Sequence, residues 1–184
     1  TDNRLRLRAS QELFGSLSYK YDPKDPVPTI GGANLTGTKG PMDQRAIEGR
    51  PDVLVFNSPE FDRYIEFTGP VKVKLWASST APDTDFTAKL CDVYPDGRSI
   101  IVVDGILRAG HRNSMEVSEP MEPGKIYELE IDLWSTSLVV SPGHRIRVAI
   151  SSSNSPRFEP NSNTGSIPGA DDKTEIATNT IYMN

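Results

Sequence analysis

Val71-Lys72-Val73-Lys74-Leu75-Trp76-Ala77 alternates apolar and polar side chains with a period of two. A β-strand turns successive side chains to opposite faces, so the odd positions share one face while Lys72, Lys74 and Trp76 share the other. That is the pattern of a half-buried strand, and helical spacing is hard to find anywhere around it. Moving outward, Asp85 to Val93 sets Phe86, Ala88 and Leu90 on one face and Cys91 on the opposite one. Tyr94-Pro95-Asp96-Gly97 follows as a tight reversal, and Ser99 to Asp104 returns as the second strand of a hairpin.

Further along, Pro123-Gly124 precedes Lys125 to Leu133, where Tyr127, Leu129, Ile131 and Leu133 alternate with Glu128, Glu130 and Asp132. Ser141-Pro142-Gly143-His144 forms another turn, after which Ile146, Val148 and Ile150 alternate with Arg145, Arg147 and Ala149. Acidic and basic faces of this kind are suited to pair across neighbouring strands. Asp52 to Asn57 and Ile65 to Thr68 complete a set of at least seven short strands. Many strands at short spacing with turn chemistry between them predict an all-β sandwich or barrel. In a two-layer sandwich the shared alternation sends Val73, Leu75, Phe86, Leu90, Leu129, Ile131, Ile146 and Val148 into the space between the sheets.

The ends read differently. Residues 22 to 51 hold Asp22-Pro23, Pro26-Val27-Pro28, Gly31-Gly32 and Gly40-Pro41 with no sustained period, so residues 1–50 are expected to be an extended N-terminal arm and 51–184 the sandwich. Residues 154 to 173, rich in Asn, Ser, Pro, Gly and Asp, read as a long loop, and Asp171-Asp172 as a solvated pair within it. No internal repeat appears.

Composition narrows the function. A chain of 184 residues can bury a substantial core as one domain. Its net charge of -5 offers no positive field for a phosphate backbone, so nucleic acid is not an expected partner. No run of about 18 apolar residues occurs, which removes a membrane-spanning helix. Cys91 is the single cysteine, so no internal disulfide and no cysteine-based metal cluster can form, and the compartment stays open.

The residues that could do chemistry are few. A nucleophile elbow of the form G-x-S-x-G is absent, and Ser151-Ser152-Ser153-Asn154-Ser155 runs into Pro156, which suits a strand end or turn. His111 and His144 both lie in chain breaks, where a structural or solvated role is expected, and two histidines without cysteines make a poor zinc site. Asp83 and Asp85 could share a calcium ion with loop carbonyls, but a carboxylate-capped turn before the Phe86 strand is the preferred reading. No metal or cofactor is expected. Cys91 reads as an inert, packed thiol. Trp76, Tyr94 and Trp134 could line a sugar platform, although aromatics in sandwiches usually pack in the core or at its rim.

Read in order, Gly40-Pro41-Met42-Asp43-Gln44-Arg45, Asp83-Thr84-Asp85-Phe86-Thr87-Ala88-Lys89-Leu90, Asp92-Val93-Tyr94-Pro95-Asp96-Gly97-Arg98, Pro142-Gly143-His144-Arg145-Ile146 and Ser151-Ser152-Ser153-Asn154 resemble one family. It is the C-terminal domain of the X-prolyl dipeptidyl-peptidase and cocaine esterase group of serine hydrolases. Asn161-Ser162-Asn163-Thr164-Gly165 and Tyr21-Asp22-Pro23 with Asp25-Pro26-Val27-Pro28 extend the match over nearly the whole chain. The resemblance implies a jelly-roll sandwich of the galactose-binding-like type, without a catalytic triad of its own. It implies a partner, the α/β-hydrolase catalytic domain of the same parent chain, and is compatible with a homo-oligomer of that parent. It also implies that the chain is a fragment whose sandwich lacks a last strand beyond Asn184. The family's segment matching Ile30 to Thr38 lies near the active-site mouth, which makes Gly31, Gly32, Asn34 and Leu35 expected residues of the substrate-pocket rim. An independent carbohydrate-binding module on the same sandwich is the alternative, since fold does not determine function.

Overall fold

The computed structural model describes residues 15–35, 37–166 and 172–183. Among these residues eight strands follow one another: β1 (Gly15–Tyr21), β2 (Leu54–Asn57), β3 (Ile65–Ser79), β4 (Asp85–Val93), β5 (Ser99–Arg108), β6 (Tyr127–Val140), β7 (Arg145–Ser151) and β8 (Ala177–Met183). One helical turn, α1 (Arg45–Glu48), and a 3₁₀ turn, Ala109–His111, interrupt them. The strands form two four-stranded sheets, ordered β1-β8-β3-β6 and β2-β7-β4-β5. Every pairing within them is antiparallel.

The inward alternation does what the sequence pattern requires. Leu75, Phe86, Leu90, Leu129 and Ile131 are buried in the cluster between the sheets, and Val73, Ile146 and Val148 pack against it. Fully burying side chains of this size contributes about 1.5–3 kcal/mol each, which makes this layer the main source of stability.

Some expectations change in detail. Ile65–Thr68 and Val71–Ala77 are not two strands but parts of the single β3. The ladder with β6 shifts between Pro70 and Lys72, where β6 carries an extra residue and Trp134 takes φ 70. Proline has no N–H to donate, so the pair adapts with a bulge instead of ending. Residues 15–21, expected within the arm, form β1 on the edge of the first sheet, with Tyr19 and Tyr21 buried in the core. Its partner β8 lies between β1 and β3. β1 alternates Leu17, Tyr19 and Tyr21 with Ser16, Ser18 and Lys20, whereas Thr178, Asn179 and Thr180 weaken the contrast in β8, and the two pair from ends of the chain far apart in sequence.

The charged faces pair differently from the simplest expectation. Glu128 and Glu130 meet Lys74 and Lys72 of β3, because β6 and β7 belong to different sheets. Arg145 and Arg147 instead reach Glu60 and Glu48.

The segment after β1 is ordered by the outer face of the second sheet. Val27, Ile47 and Val53 pack with Ala149 into a separate small cluster on that side. Backbone bonds from Thr29 N to Ser155 O (2.7 Å) and from Ser155 N to Val27 O (2.9 Å) tie this segment to the loop after β7. Covered on both faces, β4 is buried at all nine positions.

Candidate functional site

The expected rim residues form one loop. Gly32 and Gly40 exchange backbone hydrogen bonds of 2.8 and 2.9 Å, which closes the base. Gly31 sits there with φ +66, and a Cβ on it would lie 2.6 Å from Gly40 O and from the Met42 Cβ. Only glycine fits that approach. Across the loop, Asn34 Nδ2 donates to Gly31 O at 2.6 Å and Thr38 O at 3.0 Å. The turn is thereby braced from inside, while the Leu35 side chain is 96% exposed. Asn34 and Leu35 line an open groove of about 510 Å³ together with Thr29, Thr38, Arg157 and Phe158. Gly31 and Gly32 do not line the groove and lie at the base of the loop.

Beneath the loop is a buried polar network that the sequence reading did not single out. Gln44, fully buried, donates from Nε2 to Ile30 O (2.7 Å) and Met42 O (3.0 Å). Its Oε1 accepts from Lys89 Nζ at 3.2 Å. Lys89 is 3% exposed, and burial pushes its ammonium below the ordinary value while neighbouring Asp104 opposes that shift. Asp104 accepts from Asn154 Nδ2 at 3.0 Å and from Arg157. Gly32 packs on this last pair, since a Cβ there would come within 3.2 Å of Asp104 Oδ1 and 3.3 Å of the Arg157 guanidinium. Lys89 occupies the β4 face opposite Phe86, a face that sequence alone would leave to solvent. Its burial has no local signal, because the cover comes from segments 45 and 65 residues away.

Other candidate side chains are committed to the fold. Ser151 Oγ bonds Thr87 Oγ1 (2.6 Å), Ser152 Oγ bonds the Tyr19 hydroxyl (2.8 Å), and Ser153 Oγ accepts from Val27 N (2.8 Å). All three are buried. His144 Nδ1 lies 2.8 Å from Asp92 Oδ1, with its ring against Tyr94, and His111 Nδ1 lies 3.1 Å from Ser114 O. Asp83 accepts from Gly110 N (2.7 Å) and Asn161 Nδ2 (2.9 Å), and Asp85 is held by a two-point contact with Arg108 at 2.9 and 3.1 Å. These carboxylates brace a turn, and among the described residues no group of three or more His, Cys, Asp or Glu is arranged to hold a metal. Of the aromatics, Trp134 is 74% exposed at the β6 bulge, Trp76 faces Glu128 and Tyr182, and Tyr94 packs on His144 in the other sheet. The three are dispersed over both sheets.

Residues 2–184 match the family model described as the X-Pro dipeptidyl-peptidase C-terminal non-catalytic domain. Over 163 residues the chain is 48% identical to a cocaine esterase of Rhodococcus sp. (strain MB1 Bresler), covering 88% of this chain and 28% of that protein. The fold superposes on an aminopeptidase from the marine sediment archaeon Thaumarchaeota archaeon with a TM-score of 0.88, 28% identity, and coverage of 99% of this chain and 33% of that one. It superposes on an α-amino acid ester hydrolase with a TM-score of 0.87, 27% identity, and coverage of 98% and 32%. The chain therefore spans about a third or less of the length of these proteins. Its strands, its buried serines and its sequence agree, and the chain belongs to the family of C-terminal non-catalytic domains of the X-Pro dipeptidyl-peptidase type.

Proposed function

We propose that this domain packs on the catalytic domain of an α/β-hydrolase-type serine hydrolase and helps shape its substrate pocket. The parent would hydrolyse an ester or an amide through an acyl-enzyme; the similar proteins are by name two ester hydrolases and an aminopeptidase. Gly31, Gly32, Asn34 and Leu35 are the rim. The observation that carries this reading is Leu35, an apolar side chain 96% exposed at the tip of a loop braced from within and anchored at its base. A loop closed at its base that holds one large apolar group out in water is suited to press it against a surface the domain itself lacks.

The test is Leu35→Ala in the parent hydrolase. Loss of one apolar contact in a pocket changes discrimination by roughly 10- to 100-fold, so kcat/KM for bulky relative to small p-nitrophenyl acyl esters should change by about tenfold with the melting temperature unaltered. An unchanged ratio would leave this loop as a plain connector.

A further inference from the structure

The loop that presents Leu35 leaves and rejoins the body of the domain at two carbonyls, Ile30 O and Met42 O, and a single side-chain amide holds both. That amide belongs to Gln44, whose backbone is itself pinned to β5 through Gln44 N to Ser99 O at 2.8 Å. An amide can face either way, and turned over it would set its oxygen against two carbonyl oxygens. The two carbonyls disfavour that arrangement, and Lys89, whose ammonium can only donate, adds to it by holding Oε1 on its own side. Burying that charge costs more than burying an apolar side chain of the same length, and Lys89 lies on the face of β4 away from the inter-sheet core. The buried charge supplies direction where an apolar chain would supply only volume. The entering stem also rests on the Asp104–Arg157 pair through Gly32, so the base of the loop is held by the Gln44 amide and by an ion pair.

We propose that Gln44, oriented by Lys89, is a positioning residue that sets the placement of Leu35 and thereby the substrate selectivity of the parent hydrolase. The proposal rests on the rim reading above and adds the device that makes the rim rigid. Gln44 acts only through the loop, so its loss weakens recognition of the substrate part that the rim touches and leaves the bond-breaking step alone.

The experiment compares Gln44→Glu and Lys89→Met in the parent hydrolase, with Ile131→Val as a control for lowered stability. The carboxylate of Gln44→Glu keeps the size of the amide and its contact to Lys89 but cannot donate to Ile30 O and Met42 O. Hydrogen exchange at the Gly32 and Gly40 amides should accelerate about tenfold, as expected for loss of buried hydrogen bonds. KM for a bulky p-nitrophenyl ester should rise by roughly the same factor while kcat stays within about twofold. Lys89→Met, which keeps the Gln44 donors and loses the contact that holds Oε1, should move both readouts the same way by less, and it carries the test if Gln44→Glu does not fold. Ile131→Val should lower the melting temperature and move neither readout. Unchanged exchange in a folded variant would overturn the clamp. Faster exchange with unchanged KM would overturn the positioning role, and a silent Leu35→Ala beside a real exchange effect would place the failure in the rim reading.

Discussion

Cys91 shows how far a single side chain can be withdrawn from its usual chemistry. It is fully buried, and that burial, helped by Glu48, pushes the thiol up to about 12. The thiolate is the reactive form, so 5,5′-dithiobis(2-nitrobenzoate) at pH 8 should leave the native protein unlabelled and react stoichiometrically once denaturant unfolds it. Native labelling faster than unfolding would contradict this burial. Asp43 is the opposite case, near the surface and held in its charged form. Hydrogen bonds from the Arg45 side chain, then from the backbone of Arg45 and Ser99, lower its carboxyl from 3.8 to about 2. A carboxyl depressed in the folded state contributes stability that is present above its unfolded value and lost as pH falls through the folded one. The melting-temperature difference between the wild type and Asp43→Asn should therefore be constant above about pH 5, shrink steadily as the pH falls towards about 2, and vanish only near about pH 1. A packed, inert thiol follows from the usual burial of a lone cysteine and not from alternation, which sets Cys91 on the outer face of β4; of the Asp43 contacts, Arg45 is two residues away, whereas Ser99 belongs to β5, which begins 56 residues later.

At the level of elements, the two sheets come into direct backbone contact where β5 meets β6. A Cβ on Gly105 would lie 2.1 Å from Asp132 O, a distance no side chain can occupy. Gly105→Ala must separate the strands, at a cost of about 3 kcal/mol or more, and should lower the melting temperature by roughly 5–10 °C. A shift within error would mean that the strands yield freely there. The exposed ladder on the far side of β6 behaves oppositely: Lys74 and Glu128 sit 2.7 Å apart with both side chains about half exposed, and Lys74→Ala should leave the melting temperature nearly unchanged. The strands around Val71–Ala77, Asp85–Val93 and Lys125–Leu133 were legible because each alternates apolar with polar or charged residues over most of its length. In β8 the contrast is blurred by Thr178, Asn179 and Thr180; β1 does alternate, Leu17, Tyr19 and Tyr21 against Ser16, Ser18 and Lys20, but the run is short and its place at the sheet edge comes from pairing Gly15 with Met183 and Tyr21 with Ala177.

For the whole molecule, the arrangement of hydroxyls and imidazoles predicts inertness in isolation. Ser151, Ser152 and Ser153 are buried and bonded to Thr87, Tyr19 and Val27, and His144 is engaged with Asp92. The domain alone should hydrolyse p-nitrophenyl esters and X-Pro-p-nitroanilides no faster than a heat-denatured control. Saturable turnover that survives repurification and disappears in Ser153→Ala or His144→Ala would overturn this.

By itself the sequence determined the all-β class, the residues between the sheets and the absence of a nucleophile elbow, since each is written in local order: alternation, turn residues and a short motif. Only the tertiary structure decided that the outer face of β4 is buried, that Lys89 meets Gln44 there, and that Glu128 and Glu130 pair with β3 instead of β7. Burial and partnership are properties of what packs on a residue, and here the covering segments and partner strands lie tens of residues away, beyond the reach of any local pattern.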